Sequence, residues 1–328
     1  MGIRTSFNPF GVNFTNSVEP PTSNLNGNYT NIVYSTGTYV AVAAGSTAGA
    51  YSTNGTNWFD MILPGKAKLN CLAGGISPAN GTKPVFVVII DNDATGDSLA
   101  WSIDGINWTL KVLSVNNFDC VSLASDGSYF YGIQNASRYV LSGILLYDSP
   151  SGYDFRISMN YYNFTQLGLV AINHKVGGNI GGDVVIVTDS SNDYFYFLDN
   201  VQGLVDSDIL PVSAVYKHVA GSKDKWYAVG TSINYTVLKS TNGKTWTVDY
   251  SATNSAKNRI SGGVEGTSAR FLTVNGTKYF DVLNAYGWNT LAATNKMNDV
   301  CFDGTNFVTC GNNGNNKLAI NIIPPNQT

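Results

Sequence analysis

One heptapeptide is written three times in this chain: Ser52-Thr53-Asn54-Gly55-Thr56-Asn57-Trp58, Ser102-Ile103-Asp104-Gly105-Ile106-Asn107-Trp108 and Ser240-Thr241-Asn242-Gly243-Lys244-Thr245-Trp246. Self-similarity constrains a fold more than local propensity does, because a repeated unit buries its apolar faces against neighbouring copies. Each copy follows a short apolar run and centres on Asn-Gly or Asp-Gly, a pair that accepts positive φ at both central positions of a tight hairpin turn. The motif is therefore expected to join two antiparallel strands. Its Ser bonds backbone groups that the turn leaves unpaired, and its Trp opens the next strand with a large apolar payload.

A second landmark fixes the period. Strand-like runs rich in aromatic and β-branched residues fall at Tyr39 to Gly45, Val85 to Ile90, Tyr129 to Gln134, Asp183 to Thr188, Trp226 to Thr231, Arg270 to Asn275 and Asn306 to Gly311. Their starts lie about 36 to 54 residues apart, around the ~40–50 of a four-stranded propeller blade. The last copy shows the unit: Met297 to Phe302 as a first strand, Asp303-Gly304 as a turn, Asn306 to Gly311 as a second strand and Lys317 to Ile322 as a third. The expected fold is all-β, a seven-bladed β-propeller of four-stranded antiparallel blades over residues 25–328, preceded by an N-terminal strand and extended connector over 1–24. Blade seven lacks a fourth strand of its own, so a strand within residues 3–14 is expected to pair with it and remove an open edge. Blades three and six keep worn corners at Tyr147 to Phe155 and Asn284 to Trp288, and blade four, with Thr188 to Tyr194, is the least regular.

Composition agrees with this reading. Charged residues are only 12%, hydrophobic residues are 43%, and no window sustains a helical apolar period. Met1-Gly2-Ile3-Arg4-Thr5 opens no apolar core of a signal peptide, and Val85 to Ile90, the longest apolar run, is far too short for a membrane span. Synthesis and folding in a cytosol are expected. Cys71, Cys120 and Cys301 are read as equivalent first-strand positions of different blades, and all four cysteines as buried thiols.

The pattern Ser-x-Asp/Asn-Gly-x-x-Trp resembles the Asp-box, or bacterial neuraminidase repeat, of sialidases and related propellers, and departs from it by lacking the residue between Asp and Gly. The resemblance implies a propeller corner, not an activity. Under it, Ser52, Asn54, Gly55 and Trp58, Ser102, Asp104, Gly105 and Trp108, and Ser240, Asn242, Gly243 and Trp246 are structural repeat residues, the three Trp packing between blades. The whole chain is similar in style to propeller modules among tailed-bacteriophage virion proteins.

Chemistry finds little to use. A sialidase-like site needs three converging arginines and a Tyr activated by a Glu, but the chain has two glutamates, Glu19 and Glu265, and five arginines, Arg4, Arg138, Arg156, Arg259 and Arg270. Neither set is expected at the inner-strand positions around a propeller's channel. No catalytic residue and no cofactor is assigned. His174 and His218 fall in adjacent inner strands without a ligand partner and read as satisfied structural histidines. Asp91, Asp93, Thr95 and Asp97 begin like a calcium loop, but Ser102 stands where a bidentate Glu is needed, so no metal site is assigned. A net charge of −3 without a basic stripe points away from nucleic acid.

The expected role is non-enzymatic: a rigid protein-interaction disc in a bacteriophage virion (tail, collar, fibre or capsid decoration), with other virion structural proteins as partners. The particle would be assembled in the host cytoplasm, with no membrane insertion. A glycan-binding, receptor-reading propeller is the alternative, and a sialidase-like glycosidase stands third.

Overall fold

A computed structural model describes residues 27–76, 83–91, 97–113, 119–125, 129–134, 139–148, 152–161, 169–176, 184–188, 195–199, 203–212, 215–222, 224–231, 236–251, 259–265, 268–276, 278–281, 289–290, 296–312 and 318–323. Every regular element among them is a strand.

Blade one is β1 (Tyr29–Ser35), β2 (Thr38–Ala43), β3 (Ala48–Ser52) and β4 (Phe59–Ile62). Blade two is β5 (Lys66–Ile76), β6 (Pro84–Asp91), β7 (Ser98–Ser102) and β8 (Thr109–Val112). Blade three is β9 (Cys120–Ser125), β10 (Phe130–Gln134), β11 (Tyr139–Asp148) and β12 (Gly152–Tyr161), and blade four is β13 (Leu169–Val176), β14 (Val184–Thr188), β15 (Tyr196–Asp199) and β16 (Gly203–Asp206). Blade five is β17 (Val215–Ser222), β18 (Lys225–Thr231), β19 (Thr236–Ser240) and β20 (Thr247–Ser251). Blade six is β21 (Arg259–Glu265), β22 (Ser268–Asn275), β23 (Lys278–Asp281) and β24 (Asn289–Thr290). Blade seven is β25 (Lys296–Phe302), β26 (Phe307–Asn312) and β27 (Leu318–Ile323). Within each blade the strands follow one another antiparallel, and all seven runs expected as second strands are second strands.

The first strands touch in a closed cycle, β1, β5, β9, β13, β17, β21, β25 and back to β1, so they form the inner wall of a ring. Because each sheet is covered on both faces by its neighbours, the core lies between blades and strands such as β6 are apolar without alternation. Val40, Val42 and Met61 of blade one pack with Leu72, Phe86 and Val88 of blade two, and Leu272, Val274 and Tyr279 of blade six pack with Met297, Val300 and Phe307 of blade seven. The ring closes where Tyr29, Ile32, Tyr39 and Trp58 meet Cys301, Val308, Cys310 and Ile320. Polar bonds reinforce that seam: Tyr39 donates to Asp303 at 2.6 Å, and the Asn298 amide donates to the Tyr29 carbonyl at 2.7 Å. The seam between blades four and five differs, because β13 and β17 pair directly as parallel strands at Lys175 with Gly221 and Val176 with Ser222, fusing the two blades into one eight-stranded sheet.

The expected N-terminal strand in residues 3–14 and connector to residue 24, the blade-six corner and most of Thr188 to Tyr194 lie outside the described residues. The last segment joins β14 to β15, so it is a second-to-third-strand connection and not a corner. Blade seven shows three strands among the described residues.

Candidate functional site

Two repeated arrangements concentrate polar side chains: the corners between third and fourth strands, and the start of the inner strands.

At each corner the Ser Oγ accepts the Gly N–H, at 2.9 Å for Ser52 and Gly55, 2.9 Å for Ser102 and Gly105, and 2.8 Å for Ser240 and Gly243. The Asx oxygen accepts two further backbone N–H groups: from Thr56 and Asn57 at 3.0 and 2.8 Å on Asn54, from Ile106 and Asn107 at 2.8 Å each on Asp104, and from Lys244 and Thr245 at 2.9 and 2.8 Å on Asn242. The side chain thus substitutes for a backbone turn. Only the glycines have positive φ, +74° at Gly55, +76° at Gly105 and +73° at Gly243, which corrects the expected tight hairpin with two positive-φ residues. The connection from Ser52 to Phe59 is too long for that turn, and the Asx side chain makes left-handed backbone at its own position unnecessary. Burial raises the Asp104 pKa, but donors from Asn107, Ile106 and Ser102 outweigh it and leave the carboxyl below its ordinary value.

Trp58 and Trp246 are buried, and each indole N–H donates to the Gly carbonyl of its own corner at 2.9 Å. Trp108 is half-buried, and its N–H points to the Met61 sulfur of blade one at 2.9 Å. All three pack toward the preceding blade: Trp58 against Cys301 and Val308, Trp108 against Val40 and Met61, and Trp246 against Phe195. Replacing Ser240 by Ala orphans the Gly243 N–H in a buried place, so a loss of about 1–2 kcal/mol is expected in urea unfolding with the m-value unchanged.

The inner-strand arrangement depends on a bulge. β1, β9, β13, β17 and β25 each carry one extra residue near their start, so that Asn31, Ser122, Ala171, His218 and Asp299 occupy one register position. A bulge re-aims side chains, and here several of them reach the next blade's first strand. The Asn31 Oδ1 accepts the Asn70 N–H at 3.2 Å, the Asp299 Oδ2 accepts the Ile32 N–H at 3.0 Å, and His218 hydrogen-bonds the Ile260 backbone. Arg259, the first residue of β21, lies 3.7 Å from Asp299 and extends the chain of contacts. Burial raises the Asp299 carboxyl to about 6 despite Arg259 and the backbone donors. Burial and the Arg259 charge lower the His218 pKa to about 3, so the imidazole is neutral.

Between blades two and three, Lys68 bonds Asp119 and both oxygens of Asp97, at 3.0 and 2.9 Å to the latter, and Asp97 also accepts the Cys120 N–H at 2.7 Å. Burial opposes the Lys68 charge, but the two carboxylates prevail and its pKa rises; Asp97 shifts up as well, because its burial exceeds what Lys68 and Cys120 return.

These contacts revise several expectations. Asp97 turns onto Lys68 and blade three rather than into a loop, and Asp93 and Thr95 lie outside the described residues, so the calcium-loop pattern gains no support. Arg259 does stand on an inner strand, where no arginine was expected. The His218 Nδ1 is buried without a hydrogen-bond partner, so that histidine is not fully satisfied; the His174 side chain lies outside the described residues. Cys71, Cys120 and Cys301 are free and buried, but they hold three different positions: Cys71 just precedes Leu72, which pairs with Val88, Cys120 lies before the bulge opposite Gln134, and Cys301 follows Val300. Cys71 and Cys120 belong to adjacent blades, and the Cys71 thiol approaches the Cys120 carbonyl at 3.6 Å. Among the described residues no group of three or more His, Cys, Asp or Glu gathers as a metal site, and no helix is long and apolar enough to cross a membrane.

The closed ring of antiparallel blades makes the chain a β-propeller, and solved structures agree. A catalytically inactive virginiamycin B lyase from Staphylococcus aureus with quinupristin superposes with a TM-score of 0.67 at 11% identity, covering 92% of this chain and 97% of that one. U3-55K gives 0.60 at 10% identity over 93% and 97%, and YCF48 from Cyanidioschyzon merolae gives 0.50 at 12% over 90% and 82%. At such identities the likeness is one of fold alone. No protein-family model and no curated protein matches the sequence.

Proposed function

We propose that this propeller is a non-enzymatic interaction disc and a structural or attachment component of a bacteriophage virion. The observation that carries the interaction reading is the distribution of side chains between hub and rim. At the hub, Asp299, Arg259, Asn31, Lys68 and Asp97 hold one blade to the next. At the rim, the outermost strands of blades one, two and five expose Phe59, Ile62, Leu110, Val112 and Val248, with Ile62 and Val112 more than 70% exposed. Among the described residues those strands pair on one side only, and edges that combine open backbone with apolar side chains suit packing against other chains. A particle component has such neighbours by construction. The virion assignment extends this reading from the style of the sequence, which is poor in charge and rich in Asn, Gly, Ser, Thr and Tyr.

Mass spectrometry of purified particles from the source is expected to find the chain in stoichiometric amounts. Its absence there would overturn the virion role. Saturable binding on a glycan array would favour the receptor-reading alternative, and turnover of quinupristin or release of a glycan by the recombinant protein would replace the scaffold reading with an enzymatic one.

A further inference from the structure

The three corners differ in where the indole N–H goes, and that difference falls together with the choice of Asn or Asp at the Asx position. Asn-Gly is the sequence in which a backbone amide most easily attacks the preceding side chain. The Gly nitrogen forms a bond to the Asn Cγ, the Cγ–Nδ2 bond breaks, and ammonia leaves with the proton of the Gly amide. Water then opens the cyclic imide to Asp or, with the chain rerouted through the side chain, to isoaspartate. Glycine permits this because it has no side chain to hinder the closing ring and its backbone is otherwise free to turn.

In the two corners written with Asn, the glycine peptide is held at both ends. The Gly55 N–H is bound by Ser52 and its carbonyl by the Trp58 indole, at 2.9 Å each. Gly243 repeats this with Ser240 at 2.8 Å and Trp246 at 2.9 Å. The side-chain amides are held as well, since Asn54 Oδ1 takes the Thr56 and Asn57 N–H groups and the Thr56 hydroxyl, and Asn242 Oδ1 takes those of Lys244 and Thr245. Closing the imide ring takes the Gly N–H off the Ser hydroxyl and the Asn Cγ away from its donors, and the turn of the Asn–Gly peptide plane that brings the nitrogen onto Cγ carries the Gly carbonyl off the indole. The corner written with Asp lacks the second hold, because Trp108 gives its N–H to Met61. Its Ser102 bond and the two backbone bonds to Asp104 Oδ1 are the same, and Asp104 Oδ2 takes in addition the Asn107 side-chain amide at 2.8 Å, an acceptor role that an asparagine Nδ2 cannot fill.

We infer that the Trp-to-Gly hydrogen bond is a chemical lock that keeps Asn54 and Asn242 from deamidating, and that the corner without it carries an aspartate. The lock acts on a modification site, the Asn-Gly bond, whose isoaspartate product would add a backbone atom to the corner and dismantle it.

The test ages the folded protein at mildly alkaline pH and follows deamidation peptide by peptide. Positions 54 and 242 are expected to convert at least about tenfold more slowly than in the urea-unfolded chain, the loss of one or two net hydrogen bonds in the closing step. Asp104→Asn puts an amide into the corner that lacks the lock, and position 104 is expected to convert several-fold faster than 54 and 242 in the same molecule. Trp58→Phe removes the donor and keeps most of the ring, so conversion should rise at 54 alone. A rise at both 54 and 242 would mean that the variant had loosened the whole ring, and equal rates at 104, 54 and 242 in Asp104→Asn would show that the indole bond protects nothing. Either result overturns the inference.

Discussion

Gly230→Ala and Gly311→Ala are each expected to destabilise the ring by about 3 kcal/mol or more, the range reserved for severe steric conflict in a core. Both glycines lie on second strands opposite the inner-strand bulge, Gly230 paired with Tyr216 and Gly311 with Met297. The extra residue pushes the inner backbone toward them. A Cβ at position 230 would lie 2.5 Å from the Val215 carbonyl oxygen and 2.9 Å from the Tyr216 Cα, and one at position 311 would run into the Lys296 carbonyl. In both cases the obstacle is backbone, which cannot rotate away as a side chain can. Thermal or urea unfolding would measure the loss. Gly304→Ala serves as a comparison, because a Cβ there meets nothing within 4 Å and any cost arises from its positive φ alone. If all three variants unfold at the same denaturant concentration, the close approach at the bulge is not what those glycines serve.

The second expected result concerns pH. Asp299, with a folded pKa of about 6, binds a proton in the folded ring that the unfolded chain releases near 4, so its contribution to stability falls as pH rises from about 4 to 6. His218 runs the other way. Its folded pKa of about 3 lies below the unfolded value near 6.5, so the unfolded chain gains a proton that the folded ring refuses, and stability falls as pH drops below about 6.5. Across pH 4 to 6 the two slopes oppose each other, each about 1.4 kcal/mol per pH unit. Relative to the parent chain, His218→Gln should therefore gain about 2–3 kcal/mol on acidification from pH 6 to 4, and Asp299→Asn should lose about 2 kcal/mol, less because its two pKa values stand at the ends of that window. Urea unfolding of the three proteins at both pH values decides the matter. A stability difference between either variant and the parent that does not move with pH would show that the group titrates alike in both states.

The period of the fold was open to sequence reading because the blade writes it in residue type. Runs such as Val85 to Ile90 and Tyr129 to Gln134 must fill both faces of a sheet packed between two others, and that demand selects aromatic and β-branched residues wherever the second strand recurs. The corners were legible for a similar reason, since the Ser-x-Asx-Gly hydrogen bonds admit few alternatives. Their backbone conformation was not, because Asn-Gly favours both a tight hairpin and the side-chain-capped corner found here. The inner-strand contacts left no signature at all. One position holds Asn31, Ser122, Ala171, His218 and Asp299, five residue types, and a bulge shifts each by one place from simple alternation. What Asn31, His218 and Asp299 share is a reach to the next blade, which no repeated letter records. The cysteines misled for the same reason: chain spacing placed Cys71, Cys120 and Cys301 alike, while the bulges put them in three registers.

The two unlike seams of the ring have a mechanical consequence. Blades four and five share a parallel backbone ladder, whereas blades seven and one are joined by side chains, through Asp299 on the Ile32 amide, Tyr39 on Asp303 and Asn298 on the Tyr29 carbonyl. A ladder resists shear because its bonds load in parallel along two backbones, while scattered side-chain bonds can yield one after another. Under tension the seam between blades seven and one would therefore yield before the one between four and five, which would travel together. Any larger assembly that needs the ring to stay shut under load would do best to bear on that seam, holding blades seven and one together from outside.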